Sequence, residues 1–225
     1  MKPSSVIWFC LLSAWIVSSC AVQKPVHWSL SSTALVGGHA TTVLGNPRTI
    51  IGKEGEQVMA FDGVDDGLLV DHNPLAGAEE FTIEVVFKPN AAWPANVEQR
   101  FLHLEDMDSG QRRILLELRL NSRNQWYADF FLRHEKAALT LIDSTKTHPV
   151  GEWATMTLTY KDKQLKGYVN GQLELSGEIE YLPIPASANV SIGTRMDKRS
   201  WFNGEIQSVR FWKTALQPKK YSNNL

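Results

Sequence analysis

The clearest structural signal in the chain is the stretch Trp153-Ala-Thr-Met-Thr-Leu-Thr-Tyr160. It places four largely apolar side chains on one face and three threonines on the other, which is the period of a half-buried β-strand. Residues 165–175 follow, with Asn170-Gly171 at their centre. Because both of these residues tolerate positive φ, the pair predicts a β-hairpin.

The same alternation recurs along most of the chain. In residues 81–88, Phe81, Ile83, Val85 and Phe87 share one face, and a polar set that includes Glu84 takes the other. No stretch holds a 3.6-residue apolar period for more than one or two turns, so helix is a minor component. The sequence predicts an all-β protein with further strands at 100–105, 114–120, 126–133, 189–193 and 205–212.

Residues 1–20 are predicted to be an export signal. Lys2 supplies a positive charge, and residues 6–17 are apolar but shorter than the about 20 residues of a membrane span. Cys20 follows small residues, as in the bacterial lipoprotein signal, which this segment resembles and in which the cysteine carries the lipid. An ordinary cleaved signal is the alternative. We expect an exported protein, either a cell-envelope (outer-membrane) lipoprotein anchored only through Cys20 or a secreted one, with residues 21–27 as a linker.

Composition limits the remaining function classes. The chain has 225 residues, which suits one domain, and a formal net charge of −1, which gives no electrostatic basis for nucleic-acid binding. Both cysteines lie in the predicted signal, so the mature chain has no disulfide and no cysteine nucleophile.

Three groups of segments follow one another along the chain: 60–67 with 81–87, then 153–160 with 168–171, and last 192–193, 201–206, 209–212 and 215–216. Taken in this order, they resemble the laminin G-like jelly rolls of the concanavalin A-like superfamily. The resemblance implies a two-sheet antiparallel β-sandwich over residues 28–225. Members of the superfamily include lectins, glycosidases, lyases and adhesion modules, so the fold alone does not identify the function.

Strand alternation also collects charged and aromatic side chains on one polar face. If the strands are neighbours, this face is a concave groove suited to an acidic polysaccharide, because arginine binds carboxylates through two hydrogen bonds and aromatic rings stack on sugars. Surface ion pairs without a ligand are the alternative. The candidate ligand-binding residues are Glu84, Arg113, Glu117, Arg119, Tyr127, Asp129 and Arg133, with His103 and Glu105 on a preceding strand.

The leading interpretation is a lectin-like, carbohydrate-binding domain whose partner is a polysaccharide. The first alternative is a polysaccharide lyase or glycoside hydrolase, with His103, Glu117 and Tyr127 as candidate catalytic residues. The Glu117-Leu-Arg119 tripeptide is similar to one in jelly-roll alginate lyases, but the other motifs of those lyases, and the Glu-x-Asp-x-x-Glu strand of the glucanases, are absent. The second alternative is an adhesion module that binds a protein.

Calcium is the cofactor that the resemblance implies. Asp62, Asp65 and Asp66 offer the hard oxygen ligands that calcium prefers. Aspartate next to glycine is also ordinary turn chemistry. Members that bind the ion commonly carry acidic residues where this chain has Gln207 and Ser208, which counts against the site.

Overall fold

The computed structural model describes residues 24–52 and 54–218, and these ranges contain seventeen β-strands and no helix. In chain order the strands are β1 (Val26–Ser29), β2 (Leu35–Val36), β3 (His39–Leu44), β4 (Arg48–Ile51), β5 (Gln57–Asp62), β6 (Gly67–Val70), β7 (Phe81–Pro89), β8 (Glu98–Glu105), β9 (Arg112–Leu120), β10 (Gln125–His134), β11 (Ala137–Ile142), β12 (His148–Pro149), β13 (Ala154–Lys161), β14 (Gln164–Val169), β15 (Gln172–Glu178), β16 (Asn189–Ile192) and β17 (Asn203–Trp212).

The strands form two antiparallel sheets. One has the order β15-β14-β13-β7-β17-β5-β4, with β1 added on β17, and the other has the order β11-β10-β9-β8-β16-β6-β3-β2, with β12 added on β10. The two sheets pack face to face, as in a β-sandwich. The expected all-β, two-sheet antiparallel sandwich is confirmed.

The core lies between the sheets and is rich in aromatic rings. Phe87 of β7 meets two side chains of the opposite sheet, with ring centroids 4.7 Å from Phe101 and 5.2 Å from Trp126. All three side chains are fully buried. Each such burial stabilises the fold by about 1.5–3 kcal/mol, so the alternation predicted for residues 81–88 describes the side of β7 that faces the core.

Two glycines let backbone and rings approach closely. Gly167 of β14 faces Phe130 of the other sheet, and a Cβ on this glycine would lie 2.3 Å from the Phe130 ring. A Cβ on Gly204 would lie 2.4 Å from the Lys88 carbonyl oxygen. The Gly204 position therefore has no room for a side chain where β17 begins beside β7.

The predicted hairpin around Asn170-Gly171 is present as β14 and β15. Both turn residues have positive φ, 48° for Asn170 and 74° for Gly171. The Asn170 side chain also accepts a hydrogen bond of 2.8 Å from the Thr155 N–H, which ties the turn to β13.

The N-terminal boundary differs in part from the expectation. Val26 and His27, assigned to the linker, belong to β1, where they pair with Phe211 and Arg210 of β17. The linker prediction is wrong for them because their backbone is hydrogen-bonded to β17, an inner strand of the sheet, beyond the part of β17 that pairs with β5. The predicted signal at 1–20, with Cys20, and linker residues 21–23 lie outside the described residues, as do 219–225. Within the described ranges, no helix is long and apolar enough to cross a membrane.

Candidate functional site

The candidate site lies on the outer face of three consecutive strands, β8, β9 and β10. These strands are hydrogen-bonded neighbours, which is the condition for one shared polar face, and we call the side turned away from the core the β8–β10 face. Side chains directly opposite one another form four rows across it. In order along the strands, the rows are Tyr127–Arg119–Glu98, Asp129–Glu117–Arg100, Phe131–Leu115–His103 and Arg133–Arg113–Glu105.

The second row brings two carboxylates side by side. Glu117 and Asp129 are opposite residues on β9 and β10 and are only 3% and 1% exposed. Arg100 Nε donates to Glu117 Oε1 at 3.0 Å, and Arg119 Nε donates to Asp129 Oδ2 at 2.8 Å. Glu98 is shared between the two arginines, in contact with Arg100 and 3.3 Å from Arg119. Each carboxylate thus has its own cation, while Asp129 Oδ1 has no hydrogen-bond partner.

Burial changes the acid–base behaviour of this pair. It raises the pKa of Glu117 to about 7, with Asp129 and Glu98 adding to the rise and Arg100 opposing it. Burial also raises the pKa of Asp129, opposed by the hydrogen bond from Arg119. Adjacent carboxylates repel when both are ionised, so one proton is readily held on Glu117 near neutral pH.

A pocket of about 230 Å³ opens between the second and fourth rows. Its floor is apolar and consists of Leu115 and Phe131 of the third row, and Glu117 and Asp129 stand at one side. Arg113 and Arg195 stand at the other, and the Arg113 guanidinium carbon lies 5.5 Å from the centre of the Phe131 ring. The pocket therefore offers acceptors, an apolar floor and cations in succession.

At the arginine end of the face, the guanidinium groups outnumber the acidic side chains that pair with them. Arg113 and Arg133 are directly opposite each other on β9 and β10, and the Nε of each is buried without a hydrogen-bond partner. Arg113 contacts Glu105 at 3.3 Å, whereas no ion pair involves Arg133 within the described residues. Arg195, on the loop after β16, has its Nε 3.5 Å from Asp197 and likewise makes no hydrogen bond with it.

His103 is a buried neutral donor below this end of the face. Its Nδ1 accepts a 3.0 Å hydrogen bond from the Met196 N–H, which leaves the ring proton on Nε2. Burial, and then the charges of Arg195 and Arg113, hold the pKa of His103 well below its ordinary value. Its side chain is fully buried, so it would reach a ligand only as a neighbour of Glu105, 3.7 Å away.

Three of the predicted ligand-binding residues do not line the pocket. Arg133 lies opposite Arg113 in the fourth row, outside the pocket lining. Tyr127 is on the face but occupies the first row, opposite Arg119, and does not line the pocket. Glu84 lies on β7 of the other sheet, where Arg210 Nη1 donates to it at 2.9 Å. Its predicted place in the groove is wrong, because alternation tells which residues share a face of a strand and not which sheet that strand joins.

Three charged residues of the site were not predicted. Arg195 comes from a loop, and Glu98 precedes the predicted start of its strand. Arg100 was missed because strict alternation puts it on the side of Leu102 and Leu104, but a β-bulge between Arg100 and Leu102 turns it outward. An arginine at a position that alternation assigns to the core was the signal that could have revealed the bulge.

The predicted calcium residues form a separate cluster in the β5–β6 turn. One carboxylate oxygen from each of Asp62, Asp65 and Asp66 lies within 4.8 Å of the others. Asp66 accepts backbone hydrogen bonds from Asn46 at 2.6 Å and Asp62 at 3.0 Å, and Asp62 accepts one from Val64 at 2.8 Å. The donor chemistry fits calcium, but turn bonding already accounts for two of the three carboxylates. Calcium at this turn stays a prediction.

A laminin G-type family model, described as the concanavalin A-like lectin/glucanases superfamily, matches residues 62–220. The chain belongs to this superfamily. No curated protein sequence matches the chain.

Solved structures similar to this concanavalin A-like chain include three from bacteria and their toxins. Domain 4 of AbnA, a GH43 extracellular arabinanase from Geobacillus stearothermophilus in complex with arabinotriose, has 17% identity and a TM-score of 0.64, over 87% of this chain and 95% of that one. The botulinum neurotoxin serotype D binding domain has 16% identity and a TM-score of 0.60, over 86% and 48%. The NanB sialidase of Streptococcus pneumoniae has 18% identity and a TM-score of 0.52, over 64% and 23%. At these identities the likeness establishes the fold.

Proposed function

We propose that this protein is an exported lectin-like domain that binds a polysaccharide in the pocket of the β8–β10 face. One observation carries the proposal. Nine buried side-chain polar atoms of the described residues have no hydrogen-bond partner, and four of them belong to charged side chains on or beside this face: Arg113 Nε, Asp129 Oδ1, Arg133 Nε and Arg195 Nε. Buried polar groups are normally paired, so their concentration in one place indicates a site completed by a ligand.

The order of the groups suits a sugar better than a protein segment. A sugar ring has an apolar C–H face that can stack on Phe131, and hydroxyls that can donate to Glu117 and Asp129. The pocket is smaller than the roughly 300–1,000 Å³ of drug-sized ligand sites. It therefore fits about one sugar unit of a chain that continues along the face. The GH43 arabinanase domain, whose structure holds arabinotriose, gives support from the same fold.

The test is retention of the purified protein on a panel of neutral and acidic polysaccharides. We expect retention by at least one glycan, loss of retention in Phe131→Ala, and no loss in Leu173→Ala, which removes an exposed side chain from the other sheet. A folded protein that no glycan retains would overturn the proposal and favour a protein ligand.

A glycoside hydrolase is the second candidate, favoured by the paired carboxylates. Retaining and inverting glycosidases use two carboxyl groups about 5–10 Å apart, one of them protonated, and Glu117 with its raised pKa has the required proton near neutral pH. The same incubations read for new reducing or unsaturated ends decide between the candidates. We expect none. New ends that Glu117→Gln abolishes would establish catalysis in place of simple binding.

Export and lipidation of Cys20 form the localisation part of the proposal. They rest on the apolar segment 6–17 and the small residues before Cys20. We expect a labelled fatty acid to be incorporated into the wild-type protein and not into Cys20→Ala. Recovery of both proteins unprocessed in the cytoplasm would contradict export.

A further inference from the structure

We infer that the ligand of this pocket is an anionic glycan, with its sugar hydroxyls facing Glu117 and Asp129. The oxyanion group of the sugar would be held by Arg113 and Arg195, which line the pocket, and by Arg133, which lies opposite Arg113 beyond the lining. The inference rests on the proposed function and adds the chemical class and the direction of the ligand. It follows from the unequal distribution of charge along the face.

At the carboxylate end the charges are matched. Arg100 and Arg119 are each bound to a buried carboxylate and also share Glu98. A ligand anion placed here would meet two carboxylates already held in place. Neutral hydroxyls, which donate hydrogen bonds to carboxylates, suit this end instead.

At the other end cations exceed anions. The acids nearest to Arg113 and Arg195 are Glu105 and Asp197, and Asp197 is shared with Arg199 at 2.8 Å. Arg133 adds a further charge without an ion pair in the described part of the chain. This end therefore carries four arginines and two carboxylates, and an anion would restore the balance.

The opposition of Arg113 and Arg133 is itself informative. Like charges directly across a sheet destabilise it by roughly 0.2–1 kcal/mol, and no acidic side chain of residues 24–52 and 54–218 forms ion pairs with both arginines. Burial and the charge of Arg113 also lower the pKa of Arg195, a sign that the cations are crowded. A guanidinium binds a planar oxyanion through paired N–H groups, and the Nε–H of each of these arginines lacks a partner.

The apolar third row determines the distance between the carboxylate row and the arginine row. Successive residues on one face of a strand are about 7 Å apart, so Phe131 and Leu115 separate the carboxylate row from the arginine row by about that distance on each side. A sugar ring lying on Phe131 would then direct its charged substituent toward the arginines. Carboxylate and sulfate ester share this chemistry, and both are included in the test.

The test is calorimetric titration of the purified protein with a galacturonate trimer, its methyl ester and a sulfated galactan oligosaccharide. Esterification removes the charge and leaves the rings unchanged. We expect the free acid to bind at least about tenfold more tightly than the ester, the difference that one charge-assisted pair supplies. Binding of the sulfated ligand in place of the uronate would assign the oxyanion as sulfate.

Two arginine variants complete the test. Arg133→Gln removes a charge without an ion pair, so it should weaken the anionic ligand about tenfold, leave the ester unchanged and not lower the melting temperature. The control is Arg123→Gln, in the exposed turn between β9 and β10. It also removes one positive charge, but at a position outside the β8–β10 face, so the affinities for the free acid and for the ester should both stay unchanged. Equal affinity for acid and ester, weakened in Phe131→Ala, would overturn this inference and leave glycan binding intact. If no glycan bound to the folded protein, neutral glycans included, the proposed function itself would be overturned.

Discussion

Glu117 and Asp129 face each other across β9 and β10, and each is held by an arginine from a different strand. Two buried carboxylates in direct opposition are unfavourable unless a proton or a cation compensates them. The structure provides both, since Arg100 and Arg119 supply the cations and the raised pKa of Glu117 supplies the proton. The pair therefore links the stability of the sheet to pH.

Replacing Glu117 with glutamine should remove one part of the pH dependence of stability. Between pH 4.5, the ordinary pKa of glutamate, and about 7, folded Glu117 holds a proton that the unfolded chain has lost. The wild-type free energy of unfolding should therefore fall as pH rises through this window and level off above it. Glu117→Gln should lack this fall and be up to about 3 kcal/mol more stable above pH 7.

Urea unfolding from pH 4 to 8 measures this effect. The difference between variant and wild type isolates Glu117 because the neighbouring Glu98, Asp129, Arg100 and Arg119 are common to both. Parallel stability curves for the two proteins would show that Glu117 has an ordinary pKa in the folded state.

The Arg119–Asp129 pair should respond unequally to removal of its two members. Asp129 is almost completely buried, whereas Arg119 retains 32% exposure. Arg119→Ala leaves a buried carboxylate without its cation and should cost about 3 kcal/mol. Asp129→Asn keeps an acceptor for Arg119 and relieves the repulsion with Glu117, so it should cost about 1 kcal/mol or less. Equal losses in urea unfolding at pH 7.5 would contradict this asymmetry.

The sequence predicted most of the fold and part of the site for identifiable reasons. Burial on one side of a strand imposes alternation, so the faces of β7, β9, β10 and β13 could be predicted from the pattern alone. Arg113, Glu117, Arg119, Asp129 and Arg133 consequently appear together as expected. Strand neighbours depend on long-range pairing that no local pattern encodes, which is why Glu84 was placed on the wrong sheet. The bulge beside Phe101 shifts the alternation by one residue, and this shift concealed Arg100.

Gly167 should control how closely the two sheets approach beneath the site. An added Cβ would lie 2.3 Å from the Phe130 ring, which belongs to the same strand as Asp129 and Phe131. Gly167→Ala should therefore destabilise the protein by about 1–3 kcal/mol and weaken ligand binding by displacing β10. Combining it with Phe130→Leu should recover part of the loss relative to the sum of the single changes.

A matched control for this variant lies on the neighbouring strand. The atoms nearest to a Cβ on Gly177 of β15 would be the ends of the Leu139 and Leu141 side chains, at 3.0 Å. Flexible leucine tips can move aside, so Gly177→Ala should cost less than Gly167→Ala and leave binding unchanged. Additive losses for Gly167→Ala and Phe130→Leu would show that the two residues do not constrain each other.

Two variants of the β5–β6 turn, Asp66→Ala and Asp65→Ala, should distinguish a structural role of the aspartates from a metal-binding role. Asp66 is buried and accepts the backbone hydrogen bonds of Asn46 and Asp62, so Asp66→Ala should cost about 3 kcal/mol even in the presence of a chelator, because two donors lose their acceptor. Asp65→Ala removes an exposed carboxylate and should change stability by less than about 0.5 kcal/mol in the chelator.

If calcium binds here, it should raise the melting temperature of the wild type, and Asp65→Ala should reduce that rise, since Asp65 is the member of the cluster least engaged in the turn. If calcium changed the melting temperature of neither the wild type nor Asp65→Ala, the three aspartates would serve only to stabilise the turn.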